Sequence, residues 1–420
     1  MKIILQQVTI ADPNSPHNGN KKDILIVDGF IDRIADNISE DSAQTFSANK
    51  VIVTPGWVDI FVHACDPGYE FRETLDTCAA AAAAGGFTTM FTLPDTNPVV
   101  DSKTQVEYIK QKSAGLKIHV HPLGCISKKR EGKELAEMYD MQQSGAIAFT
   151  DGLQPVQNAG LFLKALQYVK TFNGVVIQLP HDKSINSNGL INEGITSTRL
   201  GLPGIPALAE ELMIARDIEL ADYTNSALHF TGVTTATSIE HIKKAKQKGL
   251  NVTCSVTPYH LFFCDEDLHS YDTNLKVNPP LRKRSDMLAL RQAVEDGFVD
   301  CITSHHLPQD WDDKTCEFEY AKPGMIGLQT AYAAVQTVLP SLSAEKIAML
   351  FSVNARKIFR LHETKIEEGK QAELTIFNTS NFNLKKEDIK SKSQNSAFIN
   401  VPLHGNVIGI VSKGSLILNN

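Results

Sequence analysis

Trp57-Val58-Asp59-Ile60-Phe61-Val62-His63-Ala64-Cys65-Asp66-Pro67-Gly68 is an apolar, strand-like run that turns polar near its end and stops at Pro-Gly. An Ala-rich helical segment follows, closed by Gly85-Gly86, and a second apolar run occupies 88–93. Strand, helix, strand is the building unit of a parallel sheet. Outward from this unit the pattern repeats, with strand-like runs at 118–123, 146–150, 174–179, 227–231, 251–256 and 299–303 and helical segments between them. Eight strands alternating with helices across residues 55–365 predict an α/β fold, a closed (β/α)8 TIM-like barrel rather than an open sheet.

The two ends of the chain read differently. Residues 24–27 and 31–34 are short apolar runs joined across Asp28-Gly29, a dipeptide suited to a tight hairpin turn. Period-two alternation returns at 372–377 and 407–418. Residues 1–54 and 366–420 are therefore expected to meet in one small composite β domain beside the barrel.

Composition narrows the function classes. Forty-one Lys and Arg against 48 Asp and Glu give a net charge of -7, the opposite of what a polyanion binder needs, so nucleic acid is not expected as a partner. Seven cysteines with no C-x-x-C pair suit reduced thiols in a cytoplasmic protein rather than a disulfide framework or a zinc knuckle. The first residues lack the apolar core and cleavage site of a signal peptide. The longest weakly polar stretch, 78–94, is too short and too weakly apolar to span a bilayer, so no membrane association is expected.

In such a barrel the active site lies at the C-terminal ends of the strands. There the first strand, from Asp59 to Gly68, resembles the signature Asp-x-His-x-His-x-Arg-x-Pro-Gly of the dihydroorotases, cyclic-amide hydrolases of the amidohydrolase superfamily. The resemblance covers nearly the whole chain. It extends to 80–89, to Pro94-Asp95-Thr96-Asn97-Pro98-Val99, and to 265–282, 327–331 and 391–398. It implies a site with two metal ions bridged by a carboxylate and a hydroxide, which lower the pKa of water and polarise the ring carbonyl.

Carried over residue by residue, the resemblance finds the ligand set altered. The two first-strand histidine positions are Phe61 and His63. The bridging carboxylate after strand four is Asp151, in Phe149-Thr150-Asp151-Gly152, and the strand-five histidine is His181. The strand-six position, in Leu228-His229-Phe230-Thr231-Gly232, is Gly232. The strand-eight aspartate, which is also the family's proton shuttle, is replaced by His305. Phe61 and Gly232 offer no lone pair, and His305 brings no negative charge to hold two dications.

The substrate positions are altered as well. The family's Arg, Asn and His contacts to the substrate carboxylate fall on Cys65, Asp95 and Gln309, while Asn278 and the Pro323-Gly324 backbone match the remaining contacts. Losing the arginine removes a charge-assisted contact worth roughly 1.5 to 3 kcal/mol, and Asp95 adds a repelling charge.

These changes predict a barrel that keeps its scaffold and has lost dihydroorotase activity. The expected cofactor is none, or one zinc on His63, Asp151, His181 and His305, rather than a dinuclear centre. His305, at the position of the family's proton shuttle, could in principle accept a proton as a neutral imidazole. Non-catalytic members of the family are found as assembly partners of aspartate carbamoyltransferase, so the resemblance implies that role, with a homodimer as the basic unit. The alternative is an active cyclic-amide hydrolase working with a single metal, and a third class is a small-molecule binder without catalysis. Other eye-catching groups read as structural: the pair His119 and His121, Cys65 with only His63 as a base, and Lys128–Arg130 as a solvated loop. His229, three residues before Gly232, is expected to point away from the ligand position.

Overall fold

The computed structural model describes residues 2–186 and 188–419. Asp28 and Gly29 both take positive φ, 48° and 85°, the backbone of a type I′ turn whose twist suits a hairpin. They join the strands Lys21–Val27 and Phe30–Ala35. These strands lie in one sheet whose order is Ser415–Leu418, Pro402–Ser412, Leu374–Asn383, Ile52–Pro55, Lys2–Ile10, Lys21–Val27, Phe30–Ala35, with Gln44–Ser47 also paired to Lys2–Ile10. Ile52–Pro55 is the junction, antiparallel to the C-terminal strand Leu374–Asn383 and parallel to the N-terminal strand Lys2–Ile10. Both ends of the chain thus build one sheet over a core that includes Ile3, Leu5, Ile24, Ile26, Val53 and Ile376. The alternating run 407–418 is two strands rather than one, because the chain turns at Lys413 and Gly414, where φ is again positive.

Seven of the eight expected barrel strands overlap an observed one. They are Trp57–Val62, Phe87–Thr92, His119–Pro122, Val176–Gln178, Leu228–Phe230, Val252–Val256 and Cys301–Ile302, all parallel to their neighbours. The fourth position is reduced to Phe149, which bridges Gly124 on one side and Val176 on the other. The ring closes between strands eight and one through a buried side chain. Asp59 accepts hydrogen bonds from Thr303 Oγ1 at 2.5 Å and the Ser304 amide at 2.9 Å, and the His63 amide donates to the His306 carbonyl at 2.9 Å.

Trp57 fastens barrel to sheet. Its indole packs against Phe351, Tyr332 and Phe377 with ring centroids 4.9, 5.2 and 5.3 Å away, and its Nε1 donates to Thr54 Oγ1 at 3.0 Å. Each such ring contributes roughly 1.5 to 3 kcal/mol by burial, so the strand that leads into the site is fixed at its base. Among the described residues no helix is long and apolar enough to cross a membrane.

Candidate functional site

The three positions that the sequence reading gives as altered ligands, Phe61, Gly232 and His305, meet at the barrel mouth. The Phe61 ring stacks on the His305 imidazole, with centroids 4.4 Å apart and planes at 30°. His305 Nε2 lies 2.7 Å from Thr231 Oγ1. Gly232 has φ +65°, and a Cβ there would fall 2.6 Å from His305 Cε1 and 3.2 Å from Leu179 Cδ1. The His305 ring therefore occupies the room that any side chain at 232 needs, and Phe61 holds that ring in place. Burial keeps the His305 pKa well below its ordinary value, so the imidazole is neutral. Its Nδ1 is buried without a hydrogen-bond partner among the described residues.

Below the plug runs a polar chain. Ser255 Oγ lies 3.0 Å from Thr231 Oγ1 and 3.1 Å from His229 Nε2, and His229 Nδ1 lies 2.9 Å from Thr253 Oγ1. His229 is thus inside the barrel, connected to His305 rather than turned away from it. The expectation failed because side-chain alternation was counted from Gly232, whose left-handed backbone lies beyond the strand's end. Counted along the strand, 229 and 231 share a side.

The opposite side of the mouth is polar. Asp151 Oδ1 accepts from the amides of Ile126 and Ser127, both at 2.9 Å, and its Oδ2 accepts from Ser127 Oγ. Burial still outweighs these bonds and raises its pKa to about 6. His63 Nδ1 accepts from the Cys65 amide at 3.1 Å, with the thiol also 3.1 Å away, and the ring bonds the Asp95 backbone. Burial, then the nearby Arg72 and Arg130 guanidinium groups, lower His63 to about 3. Burial pushes the Cys65 thiol up to about 12, which removes it as a nucleophile at neutral pH.

Two sequence readings need correction here. Arg130 is not part of a solvated loop, since its side chain is only 16% exposed and forms an ion pair with Asp95 at 2.5 Å. The left-handed backbone of Lys129 and Arg130, with φ of 54° and 57°, reverses the chain so that the guanidinium turns inward. Asp95, which also accepts from the Leu153 amide at 3.1 Å, is accordingly not a bare repelling charge. Gly152 is required beside it, because a Cβ would lie 1.7 Å from Asp95 Oδ1.

The remaining positions are engaged within the protein. Gln309 accepts from Arg72 Nη1 at 3.0 Å and donates to the Pro323 carbonyl at 2.8 Å, while its amide donates to Asn395 Oδ1 at 3.0 Å. Arg72 stacks over Tyr69 at 4.6 Å, a residue that sequence reasoning missed because it lies outside the signature. Asn278 lines the residual cavity with Phe61, Tyr259, His305, His306 and Gly324. Its volume is about 10 Å³, room for roughly one water, where small-molecule pockets run to roughly 300–1,000 Å³. His181 is half-buried, its carbonyl accepting from Gln157 Nε2 at 3.0 Å and its pKa lowered by burial and by Arg282.

These residues do not fit a dinuclear metal centre. Phe61 and Gly232 have no donor atom, the His63 Nδ1 lone pair accepts a backbone amide, and both Asp151 oxygens are taken up by donors of the chain. Among the described residues no group of three or more His, Cys, Asp or Glu, drawn from His63, Asp151, His181 and His305 or from others, is placed to hold a metal ion.

Barrel, composite sheet and mouth recur in solved structures of hydantoinases. The L-hydantoinase (dihydropyrimidinase) of Arthrobacter aurescens superimposes with a TM-score of 0.86 over 99% of this chain and 96% of that one, at 22% identity. The dihydropyrimidinase of Brevibacillus agri gives 0.84 over 100% and 95%, at 18% identity. At such identities the likeness speaks for the fold alone. In sequence, the family described as Dihydro-orotase-like matches residues 49–238. The dihydroorotase of Pelotomaculum thermopropionicum is 41% identical over 381 residues, 90% of this chain and 88% of the relative. That of Syntrophus aciditrophicus is 37% identical over 423 residues, 99% of each. The chain belongs to the dihydroorotase family.

Proposed function

We propose that this chain is a catalytically inactive dihydroorotase-like protein of pyrimidine biosynthesis, a homodimer that serves as structural partner of aspartate carbamoyltransferase. The observation that carries the reading is the interlock of Phe61, Gly232 and His305 over a cavity of about 10 Å³. Hydrolysis of a cyclic amide needs a positioned water, a base beside it and a charge that polarises the carbonyl. His305 is neutral, its Nε2 lies on Thr231 and its ring on Phe61, and the cavity that it lines has room for a water but not for a cyclic amide. The substrate carboxylate finds no free cation at the old contact positions. Cys65 is a neutral thiol, Arg130 is paired with Asp95, and Arg72 is bonded to Gln309. A scaffold that persists without its chemistry is maintained by what contacts it, and the family precedent supplies the partner.

The test has two arms. Neither ring closure of carbamoyl aspartate nor hydrolysis of dihydroorotate is expected above buffer, and the protein is expected to co-elute with aspartate carbamoyltransferase, burying more than roughly 1,000 Å². Turnover that needs one bound zinc and disappears in Asp151→Ala or His181→Ala would replace this reading with that of a single-metal hydrolase.

A further inference from the structure

We infer that the lobe 309–323, together with the facing turn 271–273, is the face by which this protein holds its partner, and that the partner presents a basic surface there. The inference rests on the assembly role proposed above and adds where and by what chemistry the contact is made. The lobe springs from the barrel mouth, since Leu307 and Gly324 on either side of it line the cavity there.

Two aromatic side chains stand free on it, Trp311 at 73% exposed and Tyr320 at 75%, while Tyr271 beside them is held by its hydroxyl, which donates to the Leu200 carbonyl at 2.8 Å. Large aromatics in water are costly to leave bare and are the residues that most often anchor interfaces. Tyr271, Asp272, Thr273, Lys314, Thr315 and Glu317 line a shallow depression of about 680 Å³ between lobe and turn. Trp311 lies one helical turn from Thr315, whose amide it receives, and the Tyr320 amide donates to the Glu317 carbonyl.

The charge is sorted by direction. Asp312, Glu317 and Glu319 are exposed, whereas the lysines of the same region point inward or are paired. Lys314 Nζ donates to the Thr273 and Lys322 carbonyls at 2.6 and 2.9 Å, and Lys276 Nζ to those of Phe318 and Glu319 at 2.7 and 2.9 Å. Lys322 is paired with Asp313 at 2.9 Å. The outward field is therefore negative, and a complementary partner carries Lys or Arg around a recess that accepts an indole or phenol ring.

The lobe is also pre-organised. Gln309 Nε2 bonds the Pro323 carbonyl across its base at 2.8 Å, and Asn395 Nδ2 donates to the carbonyls of Leu307 and Gly324, both at 3.1 Å. A surface already held in place loses little entropy on binding.

The experiment uses the full-length protein and purified aspartate carbamoyltransferase, with binding followed by light scattering and titration at low and high salt. Trp311→Ala/Tyr320→Ala removes the anchors, and Glu317→Lys/Glu319→Lys reverses the field. Both pairs are exposed, and unchanged melting temperatures confirm intact folds. Each double variant is expected to raise Kd by about 10-fold or more, and salt is expected to weaken the wild-type complex more than that of the charge-reversed one. Binding as tight as wild type by both variants would overturn the lobe assignment and leave the assembly role standing. No complex with the wild-type protein would overturn both together.

Discussion

The two sides of the barrel mouth have closed by different means. On the side of strands one, six and eight, Phe61, His305 and Gly232 fill the space by shape, ring against ring and ring against bare backbone. On the side of strands two to four, Asp95 finds Arg130 and Asp151 finds Ser127, so closure is by charge and hydrogen bonds. The difference teaches what each kind of closure requires. A void asks for atoms, whereas a buried carboxylate asks for donors or a countercharge. One side should be sensitive to volume and the other to protonation.

Acid gives the largest expected effect and acts on both sides at once. His63, His121, His229 and His260 are lowered to about 3 by burial first of all, and His305 lies well below its ordinary value. A histidine whose folded-state pKa is depressed contributes stability that is fully present above its unfolded value of about 6.5 and is lost as the pH falls towards about 3. Each loses about 1.4 kcal/mol per pH unit in that window. Asp151 and Asp217, both raised to about 6 by burial, work the other way, as do Asp59, Asp95 and Asp300, raised by burial. Their protons are held more tightly in the fold, so Asp151 and Asp217 add stability as the pH falls from about 6 towards 3.8, each offsetting roughly one histidine. Circular dichroism should show the fold lost by about pH 4, given a total stability of roughly 5 to 15 kcal/mol. A full native signal at pH 4 would mean that these imidazoles reach water.

Next in size, Arg130→Met leaves Asp95 buried without its countercharge and should cost about 3 kcal/mol in urea unfolding. A loss below about 0.5 kcal/mol would show that the polar side does not depend on the pair. The volume side is sharpened by Gly232→Ala, which should cost about 2 to 3 kcal/mol through left-handed strain and the clash with His305. In a His305→Ala background the same change should cost at least about 1 kcal/mol less. Strict additivity would sink the interlock. The smallest effect is expected from Phe61→His, about 1 to 2 kcal/mol of stability, with no zinc detected by elemental analysis. One returned ligand leaves both Gly232 and His305 as they are.

Much of the fold is legible in the sequence because its signals are local. The apolar run 146–150 is readable as the fourth barrel strand even though only Phe149 makes bridges there, and Asp28-Gly29 announces its turn by residue type alone. Phe61, Gly232 and His305 stand out because the resemblance gives each position a partner to be compared with. What these residues do with each other is not legible. That His305 fills the room beside Gly232 depends on where two strand ends come together, and the Arg130–Asp95 pair depends on a left-handed turn at 129–130 that no turn dipeptide signals. The charge run Lys128–Arg130 suggests solvent until the backbone sends one of its three side chains inward.

The interlock at 232 and 305 also has a direction in evolutionary time. A lineage that regains histidine at 232 first drives it into the imidazole of His305. One that regains aspartate at 305 first leaves Thr231 without its imidazole partner and Phe61 without the ring it stacks on. Neither first step returns a usable ligand set, so selection meets cost before benefit on each of these routes. Under the function proposed above, this order of costs makes the loss of hydrolysis harder to reverse than to make.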